Sequence, residues 1–223
     1  MRRNLVGMML GLIVVLWVST ASGNIILYDD CSSVSANWTS ADVTMTSDGD
    51  VLRMQSSAGG YAILPWGTTA DENTMVFDFK IASPGLFLAG YVSNPGEGLL
   101  ITSTINAKAS RNSAQIMELQ ANTWYTAAIY SYGAAGYQAF WIAQGKDVNM
   151  WSQSKNYEVG SGTWSGTNRS TFYTYTTTGY PNADWQVDNI RVNSGLDLTP
   201  APEPVSLSLL GIGGLAMLLR RKK

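Results

Sequence analysis

The stretch MVFDFKI, residues 75–81, shows the clearest alternation of apolar and polar side chains in the chain. Its two phenylalanines and Ile81 would face one way, and Asp78 and Lys80 the other, because successive side chains of a strand point to opposite faces. The pattern predicts a β-strand with one face packed in a core and the other face in water.

Similar short runs recur between residues 24 and 193, separated by Gly, Asn, Ser and Pro, and they show no helical periodicity. About eight to twelve such strands without an internal repeat predict an all-β fold, a two-sheet antiparallel sandwich rather than a propeller or solenoid. The further runs lie at residues 51–55, 86–92, 124–132, 137–144, 172–178 and 185–192.

The composition excludes several classes of function. The chain has no histidine and one cysteine, Cys31, which excludes Ser-His-Asp and Cys-His catalysis, an intramolecular disulfide and a Cys/His zinc site. Residues 24–204 contain eight basic and 16 acidic residues, a formal net charge of −8, so a nucleic-acid partner is not expected. Cys31 is either buried and inert or available to another chain, and burial is favoured.

The N-terminus has the order of a secretory signal peptide. Two arginines at residues 2 and 3 precede an uncharged apolar run over residues 5–18, and the small residues 19–23 follow. The apolar run is shorter than the ~20 residues that span a bilayer. We therefore expect a cleaved signal peptide over residues 1–23 and an exported protein.

The C-terminus carries a second signal. Pro202, Glu203 and Pro204 precede an uncharged run over residues 205–219, and four cations at 220–223 close the chain. The positive-inside rule keeps these cations in the cytoplasm and places the rest of the protein outside. This apolar run is again short, which favours a transient anchor over a permanent span.

This order of Pro-Glu-Pro, apolar run and basic end resembles the PEP-CTERM sorting signal of bacterial envelope proteins. The resemblance implies that exosortase, a membrane enzyme, recognises the tail. It also implies passage through the inner membrane to the cell surface, the outer envelope or the extracellular matrix. The matching sorting residues are Pro202, Glu203, Pro204, Arg220 and Arg221.

The two signals divide the chain into four expected parts. They are a signal-peptide helix (1–23), a β-sandwich (24–195), a linker (196–201) and the sorting signal with a short transmembrane helix (202–223).

Three short motifs of the sandwich resemble concanavalin A-like lectin/glucanase jelly rolls. They are Tyr28-Asp29-Asp30 near the first strand, LQANTWY at residues 119–125, and DWQVDNIRV at residues 184–192. The resemblance implies a jelly-roll topology and a structural calcium ion where the first and last strands meet. Asp29, Asp30 and Asp188 would supply its carboxylates; the alternative is that they are ordinary turn and edge residues.

Glycoside hydrolysis would require two carboxylates that flank the scissile bond. The jelly-roll glucanases resembled here carry them on one strand, as Glu-x-Asp-x-x-Glu, and this chain has no such spacing. Its acidic candidates are scattered, at Asp71-Glu72, Glu97, Glu118 and Glu158. We therefore expect no enzymatic activity, with a glycan-cleaving enzyme as the alternative.

Carbohydrate binding does not require paired catalytic carboxylates, because sugar rings stack on exposed aromatic rings while polar side chains bind the sugar hydroxyls. Trp38, Trp124, Trp141 and Trp185 lie in strand-like patterns and are assigned to the core. The candidates for binding lie in loop-like surroundings, where capping of the core is the alternative: Trp66, Trp151, Trp164 and Tyr180. The sequence thus predicts an exported, non-catalytic envelope or matrix protein with a carbohydrate-associated domain, or else a purely structural surface protein.

Overall fold

The computed structural model describes residues 25–57, 59–65, 72–83, 86–90, 98–102, 105–109, 114–132, 137–159, 169–175 and 183–199. The expected terminal helices lie outside these ranges, as do Trp66, Trp164, Tyr180 and the sorting residues Pro202, Glu203, Pro204, Arg220 and Arg221. In the described ranges, no helix combines the length and the apolar character needed to cross a membrane.

Two antiparallel sheets, of eight and seven strands, form the described part of the chain. The eight-stranded sheet has the order β13 (Tyr157–Val159), β12 (Tyr137–Gln144), β11 (Trp124–Tyr132), β6 (Glu72–Ser83), β15 (Ala183–Ser194), β4 (Leu52–Ser56), β3 (Thr44–Ser47), with β1 (Ile25–Asp29) also on β15. The seven-stranded sheet has the order β10 (Gln115–Glu118), β9 (Asn106–Ala109), β8 (Leu99–Ile101), β7 (Leu86–Gly90), β14 (Arg169–Tyr175), β5 (Gly60–Pro65), β2 (Thr39–Ala41).

The predicted all-β antiparallel sandwich is confirmed, and each of the seven predicted runs contains a strand. The expected number of strands was too low, because the described residues alone contain 15. The strands that the sequence did not reveal have three to six residues each, which is too short for alternation to stand out.

Aromatic side chains from both sheets fill the core. Trp185 is fully buried, and its ring centroid lies 5.1 Å from that of Phe87 and 5.5 Å from that of Phe172. Phe77 meets Phe172 edge to face at 5.6 Å, an arrangement that adds to the gain from burying apolar area. The inward face predicted for β6 is therefore confirmed, but the prediction that its other face lies in water was wrong for Asp78, which is only 1% exposed.

Some of the other residues assigned to the core are buried there, and others are not. Trp38 is buried in the core as expected, and the buried Cys31 confirms the favoured interpretation of that thiol. Trp141 is also buried, but in a second apolar cluster apart from the core between the sheets. The assignment of Trp124 was wrong: it is only half-buried, and it lies opposite Lys80 on the face of the eight-stranded sheet that points away from the core, here called the outer face. Its position as the first residue of β11 places it at the sheet's end.

Candidate functional site

The outer face carries a group of exposed and half-exposed aromatic rings, here called the aromatic surface: Tyr130, Tyr132, Tyr137 and Trp151. The β11–β12 hairpin pairs Tyr132 directly with Tyr137, and Tyr130 with Ala139. Because side chains alternate along each strand, all three tyrosines stand on the same side. The rings of Tyr130 and Tyr137 lie 6.0 Å apart at an interplanar angle of 66°.

Trp151 is presented by a short 3-10 helix, Met150–Ser152, that lies against the same face. Met150 is fully buried in an apolar cluster with Trp141, against which Tyr130 and Tyr137 also pack. Asn149 caps the helix by accepting a hydrogen bond from the backbone N–H of Trp151 at 3.1 Å. Met150 is anchored inward, whereas Trp151 is 53% exposed. Tyr132 of the same surface is 39% exposed.

Carboxylates fix two of the tyrosine hydroxyls. Tyr130 donates to Glu72, and Tyr137 donates to Glu158 at 2.7 Å, while Lys155 forms an ion pair with Glu158. Burial and the Glu72 contact raise the pKa of Tyr130, burial and Glu158 raise that of Tyr137, and Lys155 and Tyr137 lower the pKa of Glu158. At neutral pH both tyrosines are therefore neutral donors and Glu158 is charged.

This arrangement combines flat apolar rings with fixed hydroxyl, carboxylate and ammonium groups. Rigid amphipathic rings give contact area at low entropic cost, and neighbouring polar groups give orientation. A ligand with both an apolar face and many hydroxyl groups matches this chemistry.

A second cluster on the outer face, here called the charged junction, is built around Lys146. Strand β15 has a bulge after Asp188, where Asn189 adopts a positive φ of 49°. Lys146 forms an ion pair with Asp188, and Asn189 donates to Asp78 at 3.1 Å and to Asp147 at 2.8 Å. The bulge therefore brings the last strand, β6 and the turn after β12 into one polar network.

Burial dominates the electrostatics of the charged junction. It raises the pKa of Asp78, against hydrogen bonds from Thr126 and Asn189, and it raises the pKa of Asp188 against the nearby Lys146. Burial acts to lower the pKa of Lys146, but Asp188, Asp78 and Asp147 together outweigh it and the pKa is raised. The ammonium of Lys146 is thus the counter-charge of two buried carboxylates.

Trp124 lies beside this junction. The ammonium nitrogen of Lys146 is 4.8 Å from its ring centroid and that of Lys80 is 5.1 Å away. Both distances are within the range of cation–π attraction. The ring therefore faces ammonium groups rather than open solvent.

The three residues expected to bind calcium have protein donors on their carboxylates. Asp29 accepts from the N–H of Cys31 at 2.8 Å and from the indole of Trp38 at 2.9 Å. Asp30 accepts from Ser32, and Asp188 from the N–H of Asn189 and from Lys146. Within the described ranges no group of three or more acidic or thiol side chains could hold a metal ion, and calcium binding stays a prediction.

Alkaline pH should destabilise the fold through its tyrosines. Tyr28 pairs with Arg191 across β1 and β15, and burial, followed by Asp30, raises its pKa from 10.0 to about 12. A folded-state pKa above the unfolded value means that the stabilisation is complete below pH 10 and is lost as the pH rises through the folded value. The pKa values of Tyr130 and Tyr137 are raised in the same direction.

We therefore expect the free energy of unfolding, measured with urea, to fall between pH 10 and about 12, and Tyr28→Phe to reduce that fall. Tyrosinate absorbance should appear later in the folded chain than in the urea-unfolded chain. Coincident titration curves would contradict the assignment.

Of the four residues predicted to bind carbohydrate, Trp151 is exposed on the outer face; the other three lie outside the described residues. The tyrosines of the aromatic surface were missed. The sequence YSYGAAGY at residues 130–137 contained the signal for them. Two alternating tyrosines precede a Gly-containing turn and a third follows it, a pattern typical of a β-hairpin. A hairpin interpretation would have placed the three tyrosines on one face.

No protein-family model matches the sequence, and no curated protein matches it. Among solved structures, the fold is similar to part of a sialidase, with a TM-score of 0.59 and 14% identity over 77% of this chain; this chain spans only 19% of that protein. It is similar to the endo-β-1,4-glucuronan lyase of the fungus Trichoderma reesei, with a TM-score of 0.53 and 12% identity over 81% of this chain and 100% of the lyase. It is also similar to the binding domain of botulinum neurotoxin serotype D, with a TM-score of 0.52 and 12% identity over 84% of this chain and 52% of that one. At these identities the likeness is one of fold, and the chain shares the jelly-roll sandwich with these proteins.

Proposed function

We propose that the chain is an exported, non-catalytic protein of the cell envelope or extracellular matrix whose jelly-roll domain binds polysaccharide through the aromatic surface. The observation that carries the proposal is the exposed Trp151 on a helix whose Met150 packs in the same apolar cluster as Tyr130 and Tyr137, together with the hydrogen-bonded pairs Tyr130–Glu72 and Tyr137–Glu158. Two proteins of similar fold are, by their names, a sialidase and a glucuronan lyase. A carbohydrate ligand is consistent with both observations.

Export and sorting are part of the proposal. The charged, apolar and small-residue order of the N-terminus supports a signal peptide, and the Pro-Glu-Pro tail with its basic end supports processing by an exosortase-type enzyme. Intact-mass measurement of the protein recovered from cell envelopes tests this. We expect the loss of residues up to Ala21 or Gly23 and a processed C-terminus, whereas a full-length mass would contradict both.

The non-catalytic part of the proposal rests on the side chains available. The chain has no histidine, and Glu72 and Glu158 each accept a hydrogen bond from a tyrosine. The alternative is a glycan-cleaving enzyme of the jelly-roll glucanase type. The sialidase and the glucuronan lyase of similar fold are consistent with this alternative. A mass-spectrometric screen of oligosaccharides incubated with the protein separates the two, because shortened products would establish cleavage.

Replacing Trp151 with Ala should weaken polysaccharide binding by about tenfold or more, the loss expected when a central aromatic contact is removed. The measurement is retention of the full-length chain on immobilised neutral and acidic polysaccharides, followed by affinity measurement on those that retain it. Trp151→Tyr should keep most of the affinity, because a ring remains.

Ile25→Ala is the matched control, since Ile25 is an exposed apolar residue on β1, away from the aromatic surface. Equal affinity for the wild type and Trp151→Ala would remove the aromatic surface from the proposal. Absence of retention on every polysaccharide would leave the purely structural role.

A further inference from the structure

A polar cleft of about 540 Å³ lies toward the opposite edge of the eight-stranded sheet from the aromatic surface. The edge strand β3, its neighbour β4 and the start of β15 contribute most of its lining, whereas the aromatic surface belongs to β11, β12 and the helix beyond them. Four strand spacings separate β12 from β4, roughly 19 Å. Strand β6 also runs from Glu72 at the aromatic surface to Ser83 at the cleft, so the two places are separate.

Among the described residues, the cleft is lined by seven polar residues and by Ala183. Its volume is in the range of small-molecule sites, but such sites are usually apolar, and this one suits a ligand that is polar over most of its surface. Hydroxyl and amide groups supply donors and acceptors at short intervals, which matches a polyhydroxylated ligand. The described lining residues are Asp42, Thr44, Gln55, Ser56, Ser57, Ser83, Ala183 and Asp184.

The carboxylate of Asp184 is held by two side chains of β4. Arg53 binds Asp184 through two nitrogens, and Gln55 donates to Asp184 at 3.1 Å. Asp42 has a positive φ of 56°, and its carbonyl accepts from Ser56 at 2.8 Å. Gly60 lies so close that an added Cβ would be 2.3 Å from the carbonyl oxygen of Ala41, so the turn at Asp42 depends on that glycine.

The charge of the lining determines which ligands fit. No lysine or arginine is among the described residues that line the cleft, and the guanidinium of Arg53 is already paired with Asp184. Asp42 therefore presents a carboxylate that no cation of the lining offsets. A uronate or sulfate group would meet like charge there, whereas uncharged hydroxyl groups could donate to the carboxylate.

We propose that this cleft is a second ligand site that takes an uncharged sugar unit and discriminates against uronic acids. It does not depend on the aromatic surface, and it gives the protein two contacts with a glycan network.

The test uses the full-length chain carrying Trp151→Ala, so that the cleft is measured without the aromatic surface. Uncharged gluco-, xylo- and manno-oligosaccharides are titrated against it calorimetrically, with oligogalacturonate as the charged comparison. Thr44→Trp fills the cleft, and Thr46→Trp is the matched control, because both threonines are exposed on β3 and two residues apart.

We expect at least one uncharged oligosaccharide to bind, Thr44→Trp to weaken it at least tenfold, and Thr46→Trp to leave it unchanged. Asp42→Asn, which tolerates the same positive φ, should raise the affinity for oligogalacturonate. Three results would overturn the inference: binding of none of the uncharged sugars, equal effects of the two tryptophans, or tight binding of oligogalacturonate that Thr44→Trp abolishes. Failure of the Trp151→Ala prediction would affect the proposed function alone.

Discussion

Replacing Lys146 with Met is expected to lower the free energy of unfolding by about 2 kcal/mol, less than for a fully buried ion pair because the Lys146 side chain is 34% exposed. The side chain of Asp188 is 4% exposed, and Lys146 is its ion-pair partner. Without the ammonium, Asp188 and the nearby Asp78 remain as buried carboxylates whose pKa values burial already raises. Urea unfolding at neutral pH measures the loss.

Lys80→Met is the matched control, because Lys80 also lies over the ring of Trp124 but forms no ion pair with the described residues. Its effect should be below about 1 kcal/mol. Adding Asp188→Asn to Lys146→Met should recover part of the stability, since the unpaired charge is then removed. Equal losses for the two lysine variants would show that Lys146 acts through Trp124 rather than through the carboxylates.

Leu198→Ala should cost about 2–4 kcal/mol, the range for removing a buried leucine side chain. Residues 195–199, here called the C-terminal clasp, fold back from β15 onto the outer face. Leu198 is 3% exposed, within the apolar cluster of Trp141 and Met150, and its carbonyl accepts from the N–H of Met150 at 3.2 Å. The clasp is thus part of the domain's packing.

Leu196→Ala is the control within the same segment, because Leu196 is 41% exposed. It should change the free energy of unfolding by less than about 0.5 kcal/mol. Thermal or urea unfolding of both variants distinguishes them, and a loss shared equally would contradict the docking of the clasp. Because Leu198 and Met150 pack together, Leu198→Ala should also disturb the helix that presents Trp151.

The alternation in residues 75–81 could be recognised from the sequence because it depends only on neighbouring residues of one strand. It placed Asp78 and Lys80 on the correct face, but it could not show that Asp78 is only 1% exposed. That burial arises from the turn at residues 145–148, which donates to Asp78 through the N–H of Asp147. The contact joins residues 69 positions apart, and no local pattern records it.

The candidate site could likewise be predicted only where the evidence is local in the sequence. An indole in polar surroundings identified Trp151 as exposed, whereas its neighbours on the aromatic surface depend on the register of the β11–β12 hairpin and on Glu72 in β6. The sequence also placed residues 196–201 in a linker; residues 196 to 199 lie against the domain. Arg191 in β15 and Asp197 in this segment are both buried and form an ion pair at 3.7 Å.

The indole N–H signal of Trp151 tests the central claim most directly. The full-length chain, labelled with nitrogen-15, is titrated with a polysaccharide fragment that retains it on the immobilised polymer, and Trp151→Ala assigns the signal. Glycan binding at the aromatic surface predicts a saturable shift of the Trp151 signal, while the signal of the fully buried Trp185 stays in place. An unchanged Trp151 signal under saturating glycan would contradict it.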